Sequence, residues 1–199
     1  PVSGLVVSND GYILSSLVNF RPSFTSILVS TPSGKRATAT LVSHDYNRNL
    51  VLLKVNTTEQ YTTASPVPHT EIIVGQWSIA LGKTYSREVV NQSLGIISAT
   101  NRIWGKAIQT DAKISPANYG GPLIDIQGRV YGILTPLSPR GQNPTDGTDW
   151  YDSGIGFAVP LVDILPHLEK LKAGKDLHSG LLGVSLKSGD IYDLPAEIV

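Results

Sequence analysis

The chain contains no cysteine, which excludes disulfides and thiolate chemistry and leaves its redox compartment open. Methionine is absent too, position 1 included, so the expectation is an excised fragment or processed product whose signal peptide or anchor, if any, went with its N-terminus. No charge of one sign prevails: Lys plus Arg and Asp plus Glu are 16 each, and no net field draws the chain to nucleic acid or to an anionic membrane surface. No apolar run approaches the ~20 residues of a membrane-spanning helix, and no internal repeat is evident. These absences leave a soluble globular chain as the expectation. Its 199 residues, 41% of them hydrophobic, suffice for one large or two small domains with a substantial core.

The periodicity is that of strands for most of the length. GLVVSNDGYIL, from residue 4, reads as two short strands joined at Asn9-Asp10-Gly11, because Asp-Gly supplies the positive φ angles of tight hairpins. Residues 25–30 and 36–43 flank the Pro32-Ser33-Gly34 turn. Residues 49–55, 76–82, 93–99, 106–112, 121–126, 129–135 and 154–160 supply further strands. Many short strands with turn signals between them and no intervening helical pattern predict an all-β barrel or sandwich.

One helix is predicted. Leu161, Ile164, Leu165, Leu168 and Leu171 recur at helical spacing, with Asp163 placed to cap, Gly174 to end it and Pro166 admissible in the first turn only. Residues 172–180 read as a polar linker and 180–199 as the start of a new unit. The boundary falls near residue 175, giving domains 1–175 and 176–199.

Taken in order, GLVVSNDGYIL, then Asp45 to Asn49 and LVLLKV, VGQWSIALG, SLGIISATNR, AIQTDAKISPANYGGPL, GRVYGI and GIGFAVP resemble the HtrA (DegP-type) family of trypsin-like serine proteases, from Gly4 to Pro160. The terminal GLLGV resembles the opening of the PDZ domain that follows the protease domain there. The resemblance implies a trypsin/chymotrypsin-like double antiparallel β-barrel of six strands each, a C-terminal helix and the start of a PDZ-like domain, with the family's N-terminal segment missing from 1–175. It also implies peptide or partner-protein binding and a periplasmic or organellar location; family members are commonly trimers held by N-terminal segments, and with that segment missing the resemblance implies a homo-oligomer only as an open alternative.

Family chemistry requires a serine that attacks, a histidine that takes its proton and an aspartate that orients the histidine. Carried over residue by residue, the family's histidine falls on Val18, its aspartate on Asn49, four residues after Asp45, and its serine on Tyr119. The glycine that offers its N–H to the oxyanion falls on Ala117, and the family's G-N-P-F-G loop is replaced by Gly82-Lys83-Thr84-Tyr85-Ser86. A valine has no proton affinity, so the reading is a pseudoprotease with a degenerate triad, kept for binding, scaffolding or regulation. The alternatives are a serine endopeptidase, weak or with reassigned residues, and a regulatory subunit of active homologues.

No second constellation replaces the triad. His44 reads as a turn histidine, His69 belongs to the connector between the barrels, and His167 and His178 lie on the helix and in the linker, with no metal-ligand spacing. Asp111 and Asp125 read as structural acceptors, and Tyr119 as a side chain plugging the old cleft. No cofactor, metal or nucleic acid is expected. The 18-residue run 136–153, rich in Pro, Gly and Asp, ends in Trp150 and Tyr151, candidate anchors for a partner, or else aromatics that pack back on the barrel.

Overall fold

β5 (Leu50–Val55) shows how one strand serves two cores. Leu50 and Leu52 point into the cluster shared by both halves, while Val51, Leu53 and Val55 point into the first sheet, so the strand is apolar throughout instead of alternating. It pairs on one side with β2 (Tyr12–Ser16), Ile13 opposite Leu53, and on the other with β4 (Arg36–Asp45), His44 opposite Val51. β1 (Leu5–Val6) extends the sheet beyond β2, and β3 (Ile27–Ser30) extends it beyond β4. The first hairpin turns as predicted, at Gly11 with φ +94°. In this computed structural model, residues 2–20, 26–31, 33–83, 89–138 and 153–180 are described.

The second half contains β6 (Trp77–Lys83), β7 (Val90–Asn101), β8 (Ala107–Thr110), β9 (Pro122–Ile124), β10 (Val130–Leu134) and β11 (Gly156–Pro160). They close into a six-stranded barrel in the order β10-β11-β8-β7-β6-β9, with β9 pairing back to β10. The fold is thus mostly β, as the sequence predicts, and among the described residues this barrel is the one that closes. The first sheet has five strands in the order β1-β2-β5-β4-β3. That is the connectivity of the second barrel with β6 taken out, β7-β8-β11-β10-β9.

The C-terminal helix is real but interrupted: Leu161–Ile164 is α-helical, Leu165–His167 forms a 3-10 turn, and Leu168–Lys172 is α-helical again. Pro166 sits at the start of the 3-10 turn, beyond the first turn to which it was expected to be confined; the interruption takes up a residue with no N–H to donate. Leu161, Ile164, Leu168 and Leu171 are buried in the shared core. Asp163 does not cap: Pro160 holds the N-cap position, and the Asp163 carboxylate lies 2.6 Å from His69 Nε2. Gly174, at φ +73°, ends the helix with its N–H on the Leu171 carbonyl. The stretch expected to be a free linker is tied down. Leu177 N–H donates to His44 O at 2.9 Å and Tyr46 N–H to Leu177 O at 2.8 Å, a parallel bridge beside the end of β4. Among the described residues no helix is long and apolar enough to cross a membrane.

Candidate functional site

Three loops meet between the halves. After β2 the chain makes a 3-10 turn, Leu17–Asn19, whose Leu17 N–H donates to Asn49 O at 2.9 Å. Asn49 itself leaves the β4–β5 turn with φ +59°, a left-handed conformation in which asparagine is several-fold enriched. Asp45 builds that turn. Its fully buried carboxylate accepts the Arg48 N–H at 3.1 Å and the Arg48 guanidinium at 2.9 Å. Asn49 is thereby turned inward, 8% exposed, and its Nδ2 donates to Pro136 O at 2.9 Å.

The third loop carries Tyr119. Residues Pro116–Asn118 form a 3-10 turn in which Asn118 Oδ1 accepts both the N–H and the hydroxyl of Ser115, each at 2.9 Å. The turn closes with the Tyr119 N–H on Pro116 O at 3.2 Å. Gly120 follows at φ +89°, and a Cβ there would stand 2.3 Å from both Ser15 Oγ and Ser3 O, so only glycine fits. Tyr119 is 7% exposed and belongs to the second-barrel core, against which Val18 also packs. Asn19 Nδ2 donates to Tyr119 O at 2.8 Å. The loops that carry Val18, Asn49 and Tyr119 are thus tied to one another, Leu17 to Asn49 and Asn19 to Tyr119. Ala117 lies beside them, its carbonyl accepting Ser3 Oγ at 2.6 Å.

A set of buried polar groups that the sequence does not announce holds the loops together. Ser16 and Thr135 hydroxyls lie 2.7 Å apart, Thr135 Oγ1 donates to Asn49 O at 3.2 Å, and Ser15 Oγ donates to Ser3 O at 2.7 Å. The partners are separated by up to 119 positions, so their only sequence signal is a Ser15-Ser16 pair ending an otherwise apolar strand.

Chemically, the side chains at these three positions are an isopropyl group, a carboxamide and a phenol. None of the four histidines joins them. His44 is on β4, not in a turn, and its backbone N–H donates to Asp176 Oδ1 at 2.7 Å with the ring 3.3 Å from the same oxygen. His178 stacks on Tyr46, His69 meets Asp163, and His167 lies in the 3-10 turn of the C-terminal helix. Asp111 accepts the Ile96 N–H at 2.7 Å. Asp125 takes the N–H groups of Gln127 and Arg129 and the Arg129 guanidinium at 2.7 Å. Burial pushes the Asp125 carboxyl up, yet these donors together outweigh burial and hold it below the usual carboxylate range. Both aspartates are structural acceptors, far in role from a catalytic pair. Among the described residues no cluster of His, Asp or Glu is arranged to hold a metal ion. Trp150, Tyr151 and residues 84–86 of the replaced loop lie outside the described residues.

The sequence profile of the trypsin-like peptidase domain matches residues 2–133. Two curated relatives named "Probable periplasmic serine endoprotease DegP-like" are similar along nearly the whole chain. That of Halomonas elongata is 31% identical over 190 residues (93% of this chain, 38% of the relative), and that of Chlamydia pneumoniae 32% over 196 (94% and 38%). The chain thus spans little more than a third of their length. Among solved structures, the HtrA-type protease AlgW with decapeptide superposes with a TM-score of 0.78 at 27% identity, covering 100% of this chain and 62% of that one. The serine endoprotease from Yersinia pestis gives 0.69 at 30%, covering 86% and 57%. The chain belongs to the trypsin-like peptidase domain family, within which its relatives are DegP- and HtrA-type serine endoproteases.

Proposed function

We propose that this chain is a catalytically silent member of the family, serving as a peptide- or protein-binding, scaffolding or regulatory module in an extracytoplasmic compartment, the location its relatives' names carry. One observation supports the reading: the positions expected for the family's histidine, aspartate and serine carry Val18, Asn49 and Tyr119, with Tyr119 buried in the second core and Asn49 Nδ2 given to Pro136 O. A serine mechanism needs a base beside the nucleophile and donors aimed at the oxyanion. The backbone N–H of the residue at the nucleophile position is here already given to Pro116 O. The module reading extends to residues 176–199, proposed as the entry into a PDZ-like domain, and to 1–175 as a peptidase-like domain. The competing reading, a serine endopeptidase, has the relatives' names in its favour. An organophosphate probe for activated serine, with a fluorogenic protein substrate alongside, separates the two. No labelling and no turnover above buffer is the expected result, and a labelled peptide mapping to any serine would sink the silent reading.

A further inference from the structure

The β7–β8 hairpin turns through a left-handed backbone. Asn101 at φ +56°, Ile103 at +51°, Trp104 at +58° and Gly105 at +79° all have positive angles, and the Lys106 N–H closes the turn on Ile103 O at 3.2 Å. Glycine and asparagine take such angles readily; a β-branched residue and a tryptophan take them against the clash of Cβ with a carbonyl oxygen. Ile103 recovers that cost, because its side chain packs against the core shared by the two halves. Trp104 joins none of the three cores and is 83% exposed, more than any other large apolar side chain among the described residues. A scattered exposed apolar residue is ordinary, but one held in solvent by a strained backbone is not explained by packing within the domain.

The charges around the tip select its counterpart. Arg102 and Lys106 stand two residues to either side of Trp104, and neither has an ion-pair partner among the described residues, whereas Lys35, Arg48, Lys54, Arg129 and Lys172 all have one. Between Glu88 and Asp111 the sequence holds no acidic residue. We propose that the β7–β8 tip inserts into the headgroup region of an anionic lipid surface, with the Trp104 ring entering the interface and Arg102 and Lys106 meeting lipid phosphates. Tryptophan suits that boundary because its ring is apolar while its indole N–H stays among polar headgroups. A convex tip needs no matching pocket in a deformable surface. The chain as a whole carries no net charge, so the attraction is local to these two cations and fades beyond a Debye length of ~8 Å. The inference goes beyond the proposed function and does not depend on the junction being silent.

The test uses the 199-residue chain with Trp77→Phe and Trp150→Phe, which leaves Trp104 as its one tryptophan. Vesicles containing phosphatidylglycerol should shift its emission to the blue and shield it from acrylamide, and vesicles of phosphatidylcholine alone should do neither. In cosedimentation, Arg102→Gln with Lys106→Gln should weaken binding about 25-fold, roughly fivefold for each cation. Trp104→Gly should weaken it about tenfold or more while melting no lower than the parent, because glycine takes the left-handed backbone without strain. No binding to the anionic vesicles, equal binding to the neutral ones, or binding unchanged by Trp104→Gly overturns the proposal. So does a Trp104→Gly protein that melts more than about 2 °C below the parent, which would show that the ring packs inside the protein. Shielding from acrylamide before vesicles are added would put the occupant within the chain, and self-association lost in Trp104→Gly would make it a second copy. A glutamate polymer that produces the same blue shift would make it an acidic protein surface; each of these results overturns the assignment to lipid.

Discussion

Restoring the three family side chains together, as Val18→His, Asn49→Asp and Tyr119→Ser, is expected to yield a less stable protein with no recovered proteolysis. Tyr119 is 7% exposed inside the second core; cutting a buried aromatic down to a small side chain costs about 3–5 kcal/mol. Asn49 Nδ2 donates to Pro136 O at 2.9 Å, and an aspartate presents an oxygen to that carbonyl instead, a further cost of about 1–3 kcal/mol. Val18→His replaces apolar packing by an imidazole, adding about 1 kcal/mol or more. The loops carrying the three sites are hydrogen-bonded to one another, so the terms do not add fully, and a combined loss of about 5 kcal/mol is a large part of the ~5–15 kcal/mol that stabilises a typical domain. At about 2–4 °C per kcal/mol for a chain of this size, thermal unfolding should shift down by roughly 10–20 °C. Catalysis should fail for a separate reason: the Tyr119 N–H is held by Pro116 O, and one missing oxyanion donor costs about 10²–10³ in rate. Calorimetry and a fluorogenic casein assay read both effects. A triple variant that melts within 3 °C of the parent and degrades casein would refute the reasoning, because it would show a site intact apart from three exchanged side chains.

Gly120→Ala should destabilise by about 3 kcal/mol or more, from a left-handed backbone and from overpacking together, since its methyl would lie 2.3 Å from Ser3 O; a melting point within 2 °C of the parent would contradict this. Asp125→Asn should cost about 1–3 kcal/mol at neutral pH through the weakened Arg129 contact. Because the folded carboxyl is held below its ordinary value, that contribution is present above the unfolded value and lost as pH falls through the folded one. Parent and variant stabilities should therefore converge at the acid end, and a gap that stays constant in urea titrations down to about pH 2 would be the wrong result. Deleting residues 140–150, the run leading to Trp150 and Tyr151, should abolish partner capture with little change in thermal stability; identical pull-down profiles would remove that loop from the binding account.

Local pattern made the strands legible, because alternation and turn residues act over a few positions. Gly11, Gly34 and Gly128 take the positive φ their turns require, and the alternation of small and apolar residues in β6 follows the buried and exposed faces of a closed barrel. The family resemblance was legible through the order of short motifs, and the trypsin-like peptidase profile over residues 2–133 agrees with it. The contacts between the loops were not: Ser16 finds Thr135, Ser3 finds Ala117 and Asn19 finds Tyr119 over separations of 119, 114 and 100 positions, and no local preference encodes such meetings. The polar composition of residues 172–180 likewise concealed a docked segment, since one Leu177 between His44 and Tyr46 backbones suffices to anchor it.

The junction of these loops also separates what positions a side chain from what that side chain can do. Asp45, fully buried and bound to Arg48, still builds the turn that points residue 49 inward. Gly120 still takes the left-handed backbone that lets the Tyr119 loop pass Ser3 and Ser15, and Leu17 still fastens to Asn49. These are the costly parts of such a site, because each involves a buried charge, a restricted backbone or a close approach. The side chains they present, by contrast, are ones that pack. A buried charge with nothing to hold is unfavourable, and the Asp45 carboxylate is compensated by the Arg48 guanidinium and the Arg48 N–H, so the pair holds the β4–β5 turn in one arrangement whatever side chain residue 49 presents.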